Sequence, residues 1–79
     1  MEAMVSRDRN AVLSALGERI RTLRLGLGYS QEAFAAICGL DRSYLGAVER
    51  GERNISILKA SHIASKLDIT VSELLSEIV

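Results

Sequence analysis

Residues 30–54, SQEAFAAICGLDRSYLGAVERGERN, decide the fold of this chain. Two short helical patterns lie on either side of Gly39, and a basic segment, RGERN, follows the second pattern directly. Small residues fall where the two helices would meet, and polar residues share one outer face of the later helix. A pair of helices with this distribution is the arrangement that places a helix in the major groove of DNA.

Residues 31–50 satisfy the positional demands of a helix-turn-helix. Ala35 supplies the small residue that is needed where the helices cross, and Gly39 supplies the sharp turn between them. The positions that must be apolar are filled by Phe34, Cys38, Leu40, Leu45 and Val48. A plain helical hairpin within a bundle is the alternative, but it leaves the polar outer face of the later helix without a role.

An amphipathic helix is predicted to precede this motif. Apolar residues recur there at spacings of three or four, which is the stripe of one helix face. They are Leu13, Leu16, Ile20, Leu23 and Leu27. The predicted helix begins near residue 8 and ends at the pair Gly26 and Gly28. Gly17 costs about 1 kcal/mol relative to alanine in a helix interior, so we expect it to permit a close helix contact.

The other helix starts carry capping residues. Ser30 and Asp41 are the predicted N-caps of the second and third helices, and Ser56 begins the fourth. Thr70 and Glu73 have the spacing of a capping box for the fifth. Hydrophobic staples are predicted for the pairs Tyr29/Phe34, Leu40/Leu45 and Ile69/Leu74. The second helix is expected to end at Cys38, the third at Arg50, and the fourth to bury Ile57, Ala60, Ala64 and Leu67.

These elements predict an all-α fold, a compact five-helix domain over residues 1–79. The composition agrees, since 48% of residues are hydrophobic, only 4% are aromatic and none is proline. Residues 1–8 carry no periodicity and are expected to be flexible. A core of this size is thin, so dimerisation is an expected source of further stability.

The charge balance restricts the possible partners. Ten basic and ten acidic side chains give a formal net charge of zero, which counts against a generic nucleic-acid coat protein. A DNA reader stays possible, because counterion release depends on the basic groups at the contact face. We expect the charges to be segregated, with Asp68, Glu73 and Glu77 away from that face.

Other classes of protein find little support. A single cysteine excludes an internal disulfide, and the lack of a signal-peptide pattern makes the cytoplasm the expected location. No apolar run approaches the roughly 18–20 residues of a membrane span. No nucleophile–base pair or paired catalytic carboxylates can be assembled, so no enzyme is expected. Neither a cofactor nor a small-molecule ligand is indicated.

Cys38 and His62 are interpreted as structural residues. Cys38 ends a helix at an apolar position, where a small core hydrophobe is expected rather than a redox sensor. His62 is the only histidine, and without partners at ligand spacing it predicts no metal site. We expect it at the surface or at the edge of a dimer.

Residues 17–57, GERIRTLRLGLGYSQEAFAAICGLDRSYLGAVERGERNISI, resemble the Cro/repressor (XRE) family of lambda repressor-like DNA-binding domains. The shared pattern is a Gly–x–x–Ile–Arg–x–x–Arg helix, then Ser–Gln–Glu, then Glu–Arg–Gly. The resemblance extends over roughly residues 16–75. Within the family, Asp–Arg–Ser–Tyr and Glu–Arg–Gly–Glu–Arg–Asn–Ile–Ser are similar to the controller proteins of bacterial restriction–modification systems, which are single-domain dimers.

The resemblance implies a DNA-contact surface made of two sets of residues. Base readout is implied on the outward face of the third helix for Arg42, Ser43, Tyr44, Gly46 and Ala47. Phosphate contacts are implied for Gln31, Arg50, Arg53 and Asn54. The plain alternatives are a solvated first-turn residue at position 31 and an ordinary loop at positions 53 and 54.

Arg42 is the main candidate for base readout, because a guanidinium can bond guanine O6 and N7 bidentately. Ser43 can bond a base edge or a phosphate. The resemblance places Tyr44 against the DNA backbone, and half-burial against the core is the alternative. Gly46 and Ala47 depart from the polar residues common in the family, so more specificity would rest on DNA shape.

Two implications concern the scaffold and the assembly. The family pairs Glu49 with an arginine near the end of the first helix, here Arg24, as a partly buried ion pair that fixes orientation. The last segment, residues 70–79, has apolar residues on more than one side and is predicted to be a dimerisation helix. The predicted interface residues are Leu74, Leu75 and Ile78. Core packing is the alternative for them.

The leading hypothesis is a sequence-specific DNA-binding transcription regulator, and most specifically a restriction–modification controller. As a homodimer it would place two recognition helices about one DNA turn apart on a near-palindrome. A phage-type repressor or a DNA-binding antitoxin is an alternative with the same chemistry. From another class, a protein-interaction module without DNA binding is favoured by the zero net charge and disfavoured by Arg42, Arg50 and Arg53 sharing one face.

Overall fold

The computed structural model describes residues 9–76 and 78, and this part of the chain forms helices and turns without a strand. The helices are α1 (Arg9–Gly26), α2 (Gln31–Cys38), α3 (Arg42–Glu49), α4 (Ile57–Lys66) and α5 (Val71–Leu75). The all-α, five-helix prediction is confirmed, whereas the flexibility expected for residues 1–8 lies outside the described residues. None of these helices combines the length and apolarity that crossing a bilayer requires.

Local capping chemistry sets three of the helix starts. Ser30 accepts a hydrogen bond at 3.0 Å from the backbone N–H three residues on, and Ser56 makes the equivalent bond at the start of α4. Thr70 and Glu73 form both bonds of a capping box. These predictions are confirmed, and each cap involves only four consecutive residues.

The start of α3 is built differently from the prediction. Asp41 occupies the N-cap position with an extended backbone, but its side chain makes no capping bond. The predicted cap is therefore right in position and wrong in chemistry. The turn before α3 is set by the backbone instead, because Gly39 takes a left-handed φ of 70° and the Leu40 N–H donates to a carbonyl of α2 at 2.8 Å. At its other end α3 stops one residue short of the prediction, with Arg50 as the C-cap.

Each helix contributes one fully buried large side chain to the core. These residues are Ile20, Phe34, Leu45, Ile63 and Leu74. Leu27 and Ile57, which were predicted to join the buried stripes, are 51% and 61% exposed, so that prediction is wrong for both. Leu27 lies beyond the end of α1, and Ile57 is the first residue of α4, whose buried face is formed by Ala60, Ile63 and Ala64.

α5 packs into the core of the monomer. Leu74 is 0% exposed and Ile78 is 4% exposed, whereas Leu75 keeps part of its surface. The core-packing alternative therefore describes Leu74 and Ile78, and their assignment to a dimer interface is wrong for this structure. Arg19 on α1 holds this segment, because its guanidinium donates to the carbonyl oxygens of Glu73 and Leu74 at 3.1 and 3.3 Å.

α1 crosses α3 at Gly17. A Cβ at this position would overlap the backbone carbonyl oxygens of Val48 and Glu49. The expected close helix contact is therefore confirmed. Because the contact is between backbones, it sets where the C-terminal end of α3 lies relative to α1.

Candidate nucleic-acid interface

The N-terminal end of α3 is presented to solvent. Arg42 and Ser43 are exposed, and in the described part of the chain neither side chain forms an ion pair or a side-chain hydrogen bond. Both groups are thus available to a ligand, as their assignment to base readout requires. The guanidinium in particular has the fork of donors that matches the two acceptors of guanine.

A buried ion pair between Arg24 and Glu49 lies behind α3. The guanidinium binds the carboxylate through Nε to Oε2 at 2.7 Å and through Nη2 to Oε1 at 3.0 Å. The two side chains are only 6% and 2% exposed. Nη1 of Arg24 also donates to the carbonyl oxygen of Tyr29 at 2.8 Å. The predicted pair is present, and it joins the end of α1, the turn before α2 and the end of α3.

Gln31 is bonded to the same carboxylate. Its Nε2 donates to Glu49 Oε1 at 2.9 Å. Because a carboxylate only accepts, this bond orients the amide with its nitrogen inward and its oxygen towards Gly46. The alternative of a merely solvated first-turn residue is therefore wrong. Contact with a phosphate stays a prediction, and the second N–H of the amide is the group that could make it.

Gly46 does not belong to the exposed face of α3. The residue is buried, because the guanidinium of Arg50 and the amide oxygen of Gln31 each lie 3.3 Å from where its Cβ would stand. Arg50, whose side chain is 61% exposed, covers the position in this structure, and contact of Gly46 with a base stays a prediction. Ala47 keeps part of its surface, so its contact with a thymine methyl stays a prediction.

Arg50 has an acidic neighbour that sequence reasoning missed. Its Nη2 lies 3.1 Å from Glu52 Oε1 in an ion pair whose two side chains are 61% and 57% exposed. The hydrogen bond and the charge of Glu52 raise the pKa of Arg50. A phosphate at Arg50 would compete with the charge of Glu52, although most of the guanidinium N–H groups are not used by this pair. The close spacing of the two residues was the signal that could have found the pair.

Tyr44 is half-buried, and two cations lie against its ring. The guanidinium carbon of Arg53 is 4.9 Å from the ring centre, and Nζ of Lys59 is 5.6 Å from it. Both distances are within the range of cation–π attraction, which contributes about 0.5–1 kcal/mol at exposed sites. Lys59 was missed because it lies on α4, far along the chain from Tyr44. Base readout by Tyr44 stays a prediction, as do the phosphate contacts of Arg53 and the exposed Asn54.

Cys38 and His62 take part in helix packing. Cys38 is 5% exposed, and burial raises the pKa of its thiol, so the predicted role as a core hydrophobe is confirmed. His62 Nε2 lies 2.8 Å from the Cys38 carbonyl oxygen, and since a carbonyl only accepts, this nitrogen carries the hydrogen. Within residues 9–76 and 78, no group of three potential ligands is placed to hold a metal ion.

The chain is similar in sequence to known regulators. The helix-turn-helix family HTH_3 matches residues 20–74. The control protein C.MunI from a Mycoplasma species is 40% identical over 70 residues, which cover 87% of this chain and 95% of that protein.

The chain is also similar in structure to known regulators. The restriction–modification controller protein C.AhdI from Aeromonas hydrophila has a TM-score of 0.75 and 50% identity, covering 78% of this chain and 94% of that one. The controller protein C.Esp1396I, solved as a tetramer in complex with its natural 35-base-pair operator, has a TM-score of 0.75 and 30% identity, covering 85% and 88%. The helical fold is therefore shared with controller proteins.

Proposed function

The chain belongs to the HTH_3 helix-turn-helix family and is a transcription regulator homologous to restriction–modification controllers, and we propose that it is itself such a controller. It binds a near-palindromic operator in its own upstream DNA as a homodimer. It acts in the cytoplasm by binding, without catalysing a reaction.

The observation that carries the proposal is the exposed Arg42 at the start of a firmly held helix. Base readout requires donors at fixed positions, so the element that carries them must be rigid. α3 meets this need, because its far end is bonded through Glu49 to Arg24 and Gln31. The guanidinium of Arg42 itself is left without a partner among the described residues.

The local charge also supports DNA as the partner. Arg53 and Lys59 bring two positive charges to the Tyr44 ring on α3. The exposed Arg42 and Arg50 lie at the two ends of the same helix. Glu52 offsets part of this charge through its pair with Arg50. A chain of zero net charge can thus present a basic contact face, which is what counterion release requires. A protein-interaction module, the alternative from another class, would have no need of such a face.

The proposal is tested by comparing two arginine substitutions. Arg42→Ala is expected to lower discrimination at one operator position by about 1–3 kcal/mol, because a bidentate contact to guanine is lost. Arg53→Ala is expected to weaken binding to all sequences alike and to reduce the salt slope by about 0.9. The measurement is fluorescence anisotropy with the chain's own upstream DNA and with a mixed-sequence duplex, over a range of salt concentrations.

Two results would contradict this assignment. Equal effects of the two substitutions on both duplexes would mean that the base and phosphate roles are assigned wrongly. An unsubstituted chain that binds neither duplex at low salt would contradict the controller, repressor and antitoxin hypotheses together, and would leave the protein-interaction module as the alternative. Circular dichroism of both variants checks that they are folded.

The controller role is separated from its alternatives by the neighbouring genes. Adjacent genes for a methyltransferase and an endonuclease support restriction–modification control. A neighbouring toxin gene would favour the DNA-binding antitoxin, and a surrounding prophage would favour the phage-type repressor.

The dimer contact is proposed at the start of α4, because the core takes up Leu74 and Ile78. Leu58 is 79% exposed and Ile57 is 61% exposed, more than the other exposed large apolar side chains of the described chain. Apolar side chains this exposed are expected where a second copy covers them. Leu75 can add to the contact, since part of its surface remains exposed.

Leu58→Glu is expected to convert the dimer into a monomer, because two like charges would face each other across the symmetric contact. The measurement is sedimentation velocity, with Leu25→Glu as the matched control, since Leu25 is also exposed but lies on α1. The control should sediment as the unsubstituted chain does. A Leu58→Glu variant that is still dimeric would place the contact elsewhere on the surface.

A further inference from the structure

The Tyr44 ring brings together two cations from different parts of the chain. Arg53 lies in the loop after α3, and Lys59 lies in the first turn of α4. Their charged groups are 4.9 and 5.6 Å from the centre of the same ring. Tyr44 is itself half-buried and packs against the hydrophobic core, so the ring is a fixed platform for both side chains.

In the described part of the chain, no carboxylate forms an ion pair with either of these two cations. Within residues 9–76 and 78 the ion pairs are Arg24–Glu49 and Arg50–Glu52, and neither includes Arg53 or Lys59. Two like charges that share one ring repel each other, and the negative face of the ring offsets only part of that repulsion. An anionic ligand that binds both cations would relieve this repulsion.

We propose that Lys59 is a further contact to the DNA phosphate backbone and that Tyr44 positions it beside Arg53. The inference rests on the proposed DNA binding and extends the contact face from α3 onto the first turn of α4. A phosphate is the fitting ligand, because an ammonium is a compact point charge with rotatable donors, without the planar fork that reads a base edge. Tyr44 acts here as a positioning residue.

The two lysines of the chain, Lys59 and Lys66, give a matched test. Both lie on α4, and both substitutions to glutamine remove one positive charge, but Lys66 ends the helix and Lys59 lies in its first turn. The probe is a labelled mixed-sequence duplex about three helical turns long, and binding is measured by anisotropy across salt concentrations. Lys59→Gln is expected to reduce the salt slope by about 0.9, which is the loss of one phosphate contact. Lys66→Gln should leave the slope unchanged.

A second measurement tests the positioning role. In a Tyr44→Leu background, which keeps an apolar side chain against the core, Lys59→Gln should cause a smaller fold-loss of affinity than it does when Tyr44 is present. Tyr44→Phe keeps the ring and should preserve the full effect of Lys59→Gln. Equal losses in the leucine and tyrosine backgrounds would overturn the role of the ring.

The failure of this inference is distinguishable from failure of the proposed function. A chain that binds the duplex, but whose salt slope is the same with and without Lys59→Gln, has no phosphate contact at Lys59. The contact is equally overturned if Lys59→Gln and Lys66→Gln reduce the slope by the same amount, since the effect is then one of overall charge. A chain that does not bind the duplex at low salt would overturn the DNA-binding function and this inference together.

Discussion

Replacing Glu49 with alanine is expected to destabilise the fold by about 3–5 kcal/mol, the cost of leaving one member of a buried ion pair without its partner. Arg24 would keep its charge with a side chain that is only 6% exposed. Gln31 would also lose its acceptor. A domain of this size has only a few kcal/mol of stability in total, so the variant should be largely unfolded at room temperature.

Urea unfolding followed by circular dichroism measures the effect. Glu52→Ala is the matched control, because it removes a glutamate that pairs with an arginine at the exposed surface, and surface pairs contribute little. A Glu49→Ala variant as stable as Glu52→Ala would show that the buried pair does not hold the fold together.

A double substitution separates the stability of the pair from its role in orientation. Arg24→Met together with Glu49→Leu removes both charges and fills the same space, and such replacements are often neutral or stabilising. The double variant should therefore recover much of the stability that Glu49→Ala loses. Its DNA affinity should be lower than that of the unsubstituted chain, because Gln31 no longer has the carboxylate that orients its amide.

The parts of the fold that the sequence predicted are those decided by residues close together in the sequence. The caps at Ser30, Ser56 and Thr70 each join residues three apart, and the turn at Gly39 depends on the freedom of one residue. The pair of Arg24 and Glu49 joins distant residues, and it was predicted only through resemblance to a family that has this pair.

The contacts that the sequence did not predict depend on where side chains from different helices meet in the folded chain. Gly46 is buried with the Arg50 guanidinium and the Gln31 amide beside it, and Glu49 orients that amide. Lys59 meets Tyr44 only because α4 returns to the start of α3. Residue pattern and spacing do not predict such contacts, because these contacts are set by how the helices pack against one another.

The last helix shows a related limit. The apolarity of Leu74 and Ile78 indicated burial, but burial in a core and burial at an interface look the same in a sequence. The structure places both side chains inside the monomer. Leu58 shows the opposite case. It is apolar but 79% exposed, because the direction in which α4 docks leaves this side chain outside the core.

The second large effect is expected at Gly17, where alanine should destabilise the fold although alanine is the better helix former. In a solvated helix interior the substitution stabilises by about 1 kcal/mol. Here the new methyl group would overlap the carbonyl oxygens of Val48 and Glu49. These are backbone atoms, so relief requires a shift of α3 against α1, and overpacking of this kind costs about 1–3 kcal/mol.

Gly26→Ala on the same helix is the control, because no atom lies within 4 Å of the Cβ it would gain. Thermal unfolding should move in opposite directions for the two variants, by about 4–8 °C for each kcal/mol in a domain of this size. If both substitutions raised the melting temperature alike, α1 and α3 would not be in backbone contact at Gly17. A lowered temperature for Gly17→Ala should be accompanied by weaker DNA binding in the surviving folded fraction, since the shift displaces Glu49 and with it the carboxylate that orients Gln31.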